Sequence, residues 1–301
     1  MADDSLVQRI LQITFKLGAA TFTESGTDTL TVTGLRAVCQ IDQAGAVGAR
    51  HLSLRIYGMT LSTMNQLTNL GVPLASIGKN FVTVQAGDAV NGLSIVFTGS
   101  IFQAWVDPNE APDVSFTVDA IEGQYVAVAP ANPVSFDGPV AVTTVLQNIA
   151  TQMGYGFEPN GVNVTLTNSY FSGSLRQQAY TAAQHANINI IIENSDLIVW
   201  PMGGSRDSPS PPLLSKDTGM VGYPVHTFQG LAIKSLFNPN ITVGKNIQVQ
   251  SVLIPAVGLW NVLSLKQELS SEMPDGPWFT TAECVTAIGG AASAPIPGTG
   301  Q

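Results

Sequence analysis

Residues 52–71 read LSLRIYGMTLSTMNQLTNLG, and the hydrophobic period changes partway along them. Leu52, Leu54 and Ile56 alternate with Ser53 and Arg55, the period of two expected of a strand with one buried face. From Leu61 onward Met64, Leu67 and Leu70 recur every three residues, with Thr60 placed as an N-cap and Gly71 just past the end. That pattern predicts one short amphipathic helix. Strand signals lie on both sides of it. Ile13, Phe15 and Leu17 alternate with Thr14 and Lys16 upstream. Downstream, residues 81–85, 93–98, 101–105 and 114–119 read as strands, with a turn at Ala86-Gly87-Asp88. Many short strands around one helix predict a small barrel or sandwich.

The pattern alters beyond residues 129–139, a segment rich in Pro, Ala and Asn that marks a boundary. Val142, Leu146, Ile149 and Met153 fit a helix stopping at Gly154. Val162, Val164 and Leu166 alternate as a strand, and a second helix is predicted from Leu175 to Ala186, capped by Ser172 or Ser174. Residues 188–193 and 197–200, joined by Asn194-Ser195-Asp196, read as a β-hairpin whose isoleucines imply burial on both faces. This middle region is a small α+β unit. Residues 201–212 are a second linker, crowded with Gly, Ser and Pro. Strands return at 231–236, 247–254, 259–268 and 278–285. Beyond Gly289 the chain is nearly free of anchoring side chains, so a disordered tail is expected. The expected division is 1–128, 129–212, 213–288 and the tail 289–301, that is, mainly β with an α+β insert.

Of the 301 residues 45% are hydrophobic and only 11% charged. The charged share is less than half of the typical ~25%, which suits a surface largely covered by other subunits. Net charge is −9, which disfavours nucleic-acid binding as the main task. No Lys or Arg occurs between Lys79 and Arg176, whereas Asp88, Asp107, Glu110, Asp113, Asp119, Glu122, Asp137 and Glu158 all do. This stretch reads either as a solvated acidic face or as a wall past which DNA slides without adhering. Cys39 and Cys284 are too far apart in sequence for a metal motif, and Cys39, on an apolar strand face, is expected to be an inert buried thiol. The acidic start at Asp3 and Asp4 does not resemble a signal peptide, and no stretch is long enough for a membrane span, so synthesis in the cytoplasm is expected.

Catalytic and cofactor motifs are not found. His51, His185 and His226 have no His or Cys at ligand spacing. Nucleophile elbows, Walker loops and dinucleotide-binding glycine runs do not occur. Asp107, Glu110 and Asp113 form the nearest approach to an acidic cluster, but prolines interrupt it and the glycine of a calcium loop is missing. The expectation is no catalytic, metal or cofactor site. Trp105, Trp200, Trp260 and Trp278 fall at or near strand ends, where core packing is the default and interface anchoring the alternative.

Several stretches taken together resemble the baseplate hub proteins of contractile-tailed bacteriophages. They are Arg55-Ile56-Tyr57-Gly58-Met59, Met64-Asn65-Gln66-Leu67, Ile101-Phe102-Gln103-Ala104-Trp105, Ala111-Pro112-Asp113-Val114 and Gly219-Met220-Val221-Gly222-Tyr223-Pro224. Asn238-Pro239-Asn240-Ile241, Pro255-Ala256-Val257-Gly258-Leu259-Trp260 and Gly276-Pro277-Trp278-Phe279 belong with them, so the resemblance spans residues 35–283. The hairpin ending Leu197-Ile198-Val199-Trp200-Pro201 is similar to the insert between barrels in hub and injection-spike proteins. The resemblance implies two tail-tube-like β-barrel domains flanking a small α/β domain. It further implies a non-enzymatic homotrimer that joins a six-fold tail tube to a three-fold central spike, within surrounding wedge proteins, around a channel that DNA crosses. Partner contacts are expected at Asp107, Glu110 and Asp113 and in the second linker at Met202, Arg206 and Asp207. A β-sandwich receptor-binding module and a cell-wall carbohydrate hydrolase using acids such as Asp107 or Glu110 are the alternative readings.

Overall fold

A computed structural model describes residues 7–18, 21–22, 25–45, 48–68, 80–109, 111–206 and 210–287. The chain begins with β1 (Arg9–Lys16), β2 (Thr29–Val32), β3 (Ala37–Gln43) and β4 (His51–Tyr57). There follow α1 (Leu61–Leu67), β5 (Phe81–Asp88), β6 (Gly92–Asp107) and β7 (Ser115–Ile121). β4 buries Leu52, Leu54 and Ile56 on one face, as its alternation predicts. α1 starts where Thr60 Oγ1 accepts the Thr63 amide at 3.2 Å. Its expected last turn, Leu70 and Gly71, lies outside the described residues. The predicted strands 93–98 and 101–105 are one strand, β6, which absorbs a bulge opposite β7. Ala86-Gly87-Asp88 is the end of β5 rather than a turn.

The middle unit comprises α2 (Gln124–Val128), β8 (Val134–Ala141), α3 (Val142–Met153), β9 (Gly156–Glu158) and β10 (Thr165–Phe171). α4 (Leu175–His185), β11 (Ile188–Glu193) and β12 (Asp196–Pro201) complete it. α3 stops at Gly154, which takes φ +73° and donates to the carbonyls of Ala150 and Thr151. Ser174 caps α4, accepting the Gln177 amide at 3.3 Å. Part of the expected boundary is strand: β8 pairs with β10 as a two-stranded ribbon, which Pro139 tolerates because β8 has only one neighbour. The hairpin is buried on both faces. Ile190, Ile192, Leu197 and Val199 face the helices of the insert. Ile191, Ile198 and Trp200 turn the other way and are also buried.

The last part holds β13 (Leu213–Leu214), β14 (Val225–His226), β15 (Leu231–Leu236), β16 (Asn246–Val249), β17 (Gly258–Ser271) and β18 (Trp278–Thr286). The strand expected over 247–254 ends early, and a 3-10 turn occupies Ile254–Ala256. The expected disordered tail 289–301 lies outside the described residues.

Strands of the first and last parts form one 13-stranded sheet in the order β14-β15-β18-β17-β3-β4-β7-β6-β5-β1-β2, with β16 also paired to β17 and β13 to β16. Among the described residues no closed barrel forms. β17, which is 14 residues long, instead joins the two strand-rich parts. Its first half pairs with β16 and its second half with β3, so a single strand serves both sequence-distant units. The cores follow suit. Leu269 of β17 and Trp278 of β18 pack with Phe15, Phe97 and Phe116 in the first core, while Val262, Leu265 and Cys284 belong to the last. Cys39 is buried as expected, and burial pushes its thiol up to about 12.

Candidate functional site

Three units meet around a buried charged cluster. Arg50 arrives on the residue before β4 and is 2% exposed. It donates to Asn194 Oδ1 at 3.2 Å and to the carbonyl of Val96. Its Nη1 lies 3.7 Å from Glu122 and 3.8 Å from Glu193. Glu122 follows β7, and its Oε1 accepts the amide of Asn194 at the tip of the β11–β12 hairpin. Glu193 closes β11 and receives Arg206 at 2.5 Å. Arg206, in the second linker, also donates to the Val243 carbonyl at 3.3 Å and to Glu158 at 3.4 Å.

Charges are almost never this buried unless paired. Here the pairing is uneven, because Glu193 has Arg206 close by while Arg50 is divided between two carboxylates. Burial therefore pushes the Glu122 carboxyl up to about 8, opposed by Arg50 and the Asn194 amide and reinforced by Glu193 and Asp196. Asp196 is raised as well, by burial and then by Glu158 and Glu193. The adjoining cavity, about 190 Å³ and lined by Arg50, Glu158, Glu193, Asp196, Arg206 and Lys245, falls short of the roughly 300–1,000 Å³ of small-molecule pockets. The cluster thus joins the three units of the chain.

The predicted contact residues separate. Asp113 is exposed and pairs with Arg36 at 3.3 Å, whose guanidinium stacks 3.7 Å above the Tyr57 ring. Asp107 ends β6 and accepts the Asn109 amide at 3.0 Å, an Asx turn. Met202 is exposed. Glu110 and Asp207 lie outside the described residues. Arg206 departs from its expected place among the partner contacts: it is only 4% exposed, because residues 201–206 turn back toward the last unit and the Arg206 amide donates to the Gly244 carbonyl at 2.8 Å. Glu122 likewise leaves the acidic run for the interior. Nothing in local spacing announces Arg50 and Arg206. The one available signal is Glu193 itself, since an acid ending a strand buried on both faces requires a partner.

Gly244 supports this junction with φ +83°, and a Cβ there would stand 2.8 Å from the Trp200 ring and 3.0 Å from Arg206 Cδ. Gly244→Ala is expected to cost about 1–3 kcal/mol through strain and overpacking, read as a lower urea midpoint at constant slope. A midpoint equal to wild type would show that the linker moves aside freely.

A second feature is on the surface. Val221, Tyr223, Val225, Phe228, Val252 and Ile254 of the last unit are all exposed, Phe228 fully. Val225 lies on β14, an edge strand of the sheet, and Tyr223 and Val252 line one groove with Met220. Exposed apolar side chains thus recur within residues 221–228 and 252–254 of the last unit. Among the described residues no group of three or more His, Cys, Asp or Glu could hold a metal ion, and no helix is long and apolar enough to cross a membrane.

No curated protein matches the chain significantly. Solved structures do match in fold. A tail protein from Neisseria meningitidis MC58 superposes with TM-score 0.58 at 12% identity, over 91% of this chain and 96% of that one. The 43 kDa tail protein of prophage MuSo2 from Shewanella oneidensis gives 0.56 at 8% identity, over 91% and 97%. A chain of the Francisella PdpA–VgrG complex gives 0.50 at 8% identity, over 93% of this chain and 58% of that one. The family profile described as baseplate hub gp41 matches residues 10–284, nearly the whole sequence. The chain therefore belongs to the baseplate hub gp41 family of phage tail proteins.

Proposed function

We propose that this chain is the structural hub of a phage baseplate, a homotrimer that joins the six-fold tail tube to the three-fold central spike and forms part of the DNA ejection channel. The match to the hub family over residues 10–284 carries the reading. In it, the two strand-rich parts, 1–128 and 213–288, act as the tube-like domains, and 129–212 is the insert between them. Two similar domains per chain let three subunits offer six tube-facing elements and three spike-facing ones.

The exposed apolar groups of the last unit and the low charge of 11% support a protein whose surface is covered in the virion. Asp107, Glu110, Asp113, Met202 and Asp207 remain candidate contacts with tube, spike or wedge proteins. Arg206 does not, because it is buried. The acidic surplus keeps passing DNA from adhering. The role requires no cofactor and no turnover, and it leaves cell-wall digestion to a partner.

Light scattering combined with negative-stain imaging of the purified protein tests this. A trimeric ring with a central opening is expected. A subunit that is monomeric both in solution and in assembled tails would overturn the proposal.

A further inference from the structure

The β11–β12 hairpin meets the rest of the chain with a face of two kinds. Ile191, Ile198 and Trp200 form a small buried apolar cluster, separate from the core of the insert. Beside it, Glu193 and Asn194 reach Arg50 and Glu122 of the first unit, while Arg206 ties Glu193 to the Val243 carbonyl of the last. All three parts of the chain are thus held at one charged point. An apolar contact is indifferent to charge, but here two acids share Arg50, and only Glu193 has a closer cation in Arg206. Arg50 serves Glu122 at 3.7 Å and Glu193 at 3.8 Å.

We propose that the cluster is a latch that holds the insert against both strand-rich units, and that a negative charge on Glu122 weakens it. The groups around Glu122 are Arg50 from the segment before β4, and Glu193 and Asp196 from the hairpin. Tyr155 after α3 and Tyr180 in α4 lie near enough to feel its charge. Arg206, Glu158 and Lys245 complete the cavity wall behind them. In the closed form burial pushes Glu122 from its ordinary 4.5 up to about 8. Detaching the hairpin returns the carboxyl to water and to its ordinary value. The closed form therefore keeps a proton that the open form sheds. The latch is strongest below pH 4.5, weakens as pH rises toward about 8, and changes no further above that. Within this window the opening constant rises by up to about tenfold per pH unit.

Hydrogen exchange on the full chain reads this directly, comparing about pH 5.5 with about pH 7.5 after correction for the intrinsic exchange rate. Amides of residues 188–201 are expected to lose roughly tenfold to a hundredfold of their protection at the higher pH, while those of residues 52–56 do not. Glu122→Gln keeps a carbonyl for the Asn194 amide and cannot ionise, so most of the pH response should vanish, leaving only the share that Asp196 contributes. Equal protection of the wild-type hairpin at both values would overturn the latch. So would parallel loss in β4, which means global rather than local opening, or an unchanged pH response in Glu122→Gln. Should that variant not fold, infrared difference spectra of the wild type decide instead. A carboxyl carbonyl band that persists through neutral pH and disappears near pH 8 is expected, and complete ionisation at ordinary carboxylate pH overturns the proposal.

Discussion

Arg206→Ala is expected to destabilise the protein by about 3–5 kcal/mol, the cost of leaving a buried carboxylate without its partner. Arg206 is 4% exposed and lies 2.5 Å from Glu193, which is itself 6% exposed. Without it, Glu193 retains only a share of Arg50 at 3.8 Å, and the Val243 carbonyl loses a donor. For a chain of this size each kcal/mol lowers the melting midpoint by roughly 2–4 °C, so a fall on the order of 10 °C is expected. Glu193→Gln in the same chain should recover much of the loss, because the uncompensated charge and not the missing contact dominates it. The double-mutant cycle, followed by urea unfolding, measures that coupling. A single variant within about 0.5 kcal/mol of wild type, the ordinary range for surface changes, would mean that water reaches Glu193 as readily as in an exposed site.

Phe228→Asp is expected to act in the opposite way, leaving the isolated fold intact and abolishing assembly. The ring is fully exposed, so its replacement should change stability by no more than about 0.5 kcal/mol. Aromatic anchors at interfaces are worth about 2–4 kcal/mol, and a buried unpaired carboxylate adds to the penalty. Each 1.4 kcal/mol is about tenfold in association, so incorporation into tails should fall by roughly two orders of magnitude or more. Particle counts by electron microscopy, with the melting midpoint measured on the same protein, separate the two effects. Normal tails from the variant would show that the face around Tyr223, Val225 and Phe228 stays bare in the virion.

Local periodicity carried much of the architecture. The alternation at Leu52, Leu54 and Ile56, the stop of α3 at Gly154, a serine cap on α4 at Ser172 or Ser174 and the doubly buried hairpin were all legible. Each depends on residues within a few positions of one another, where backbone geometry alone relates side-chain spacing to a face. The resemblance to hub proteins was legible as well, from stretches spread along the chain, and the family match over residues 10–284 agrees with it. The extent of individual strands was less so: β6 reads as two strands because a bulge breaks its alternation, and β8 hides in a segment that composition marks as a linker.

Two features required the folded chain. The first is the sharing of β17, whose Leu269 sits opposite Cys39 across 230 residues of sequence. Many registers of a half-apolar strand bury the same face equally well, so pattern does not choose the partner; packing in two cores at once does. The second is the junction of Arg50, Glu122, Glu193 and Arg206. These are ordinary surface residue types in the sequence, and only the docking of the hairpin on the first unit, with Arg206 folded in beside it, removes them from water. Period, caps and turns were set by the amino acids near them. Strand partnership and the burial of charge were set by which distant surfaces exclude water together, a property of the whole tertiary structure that no short window of sequence contains.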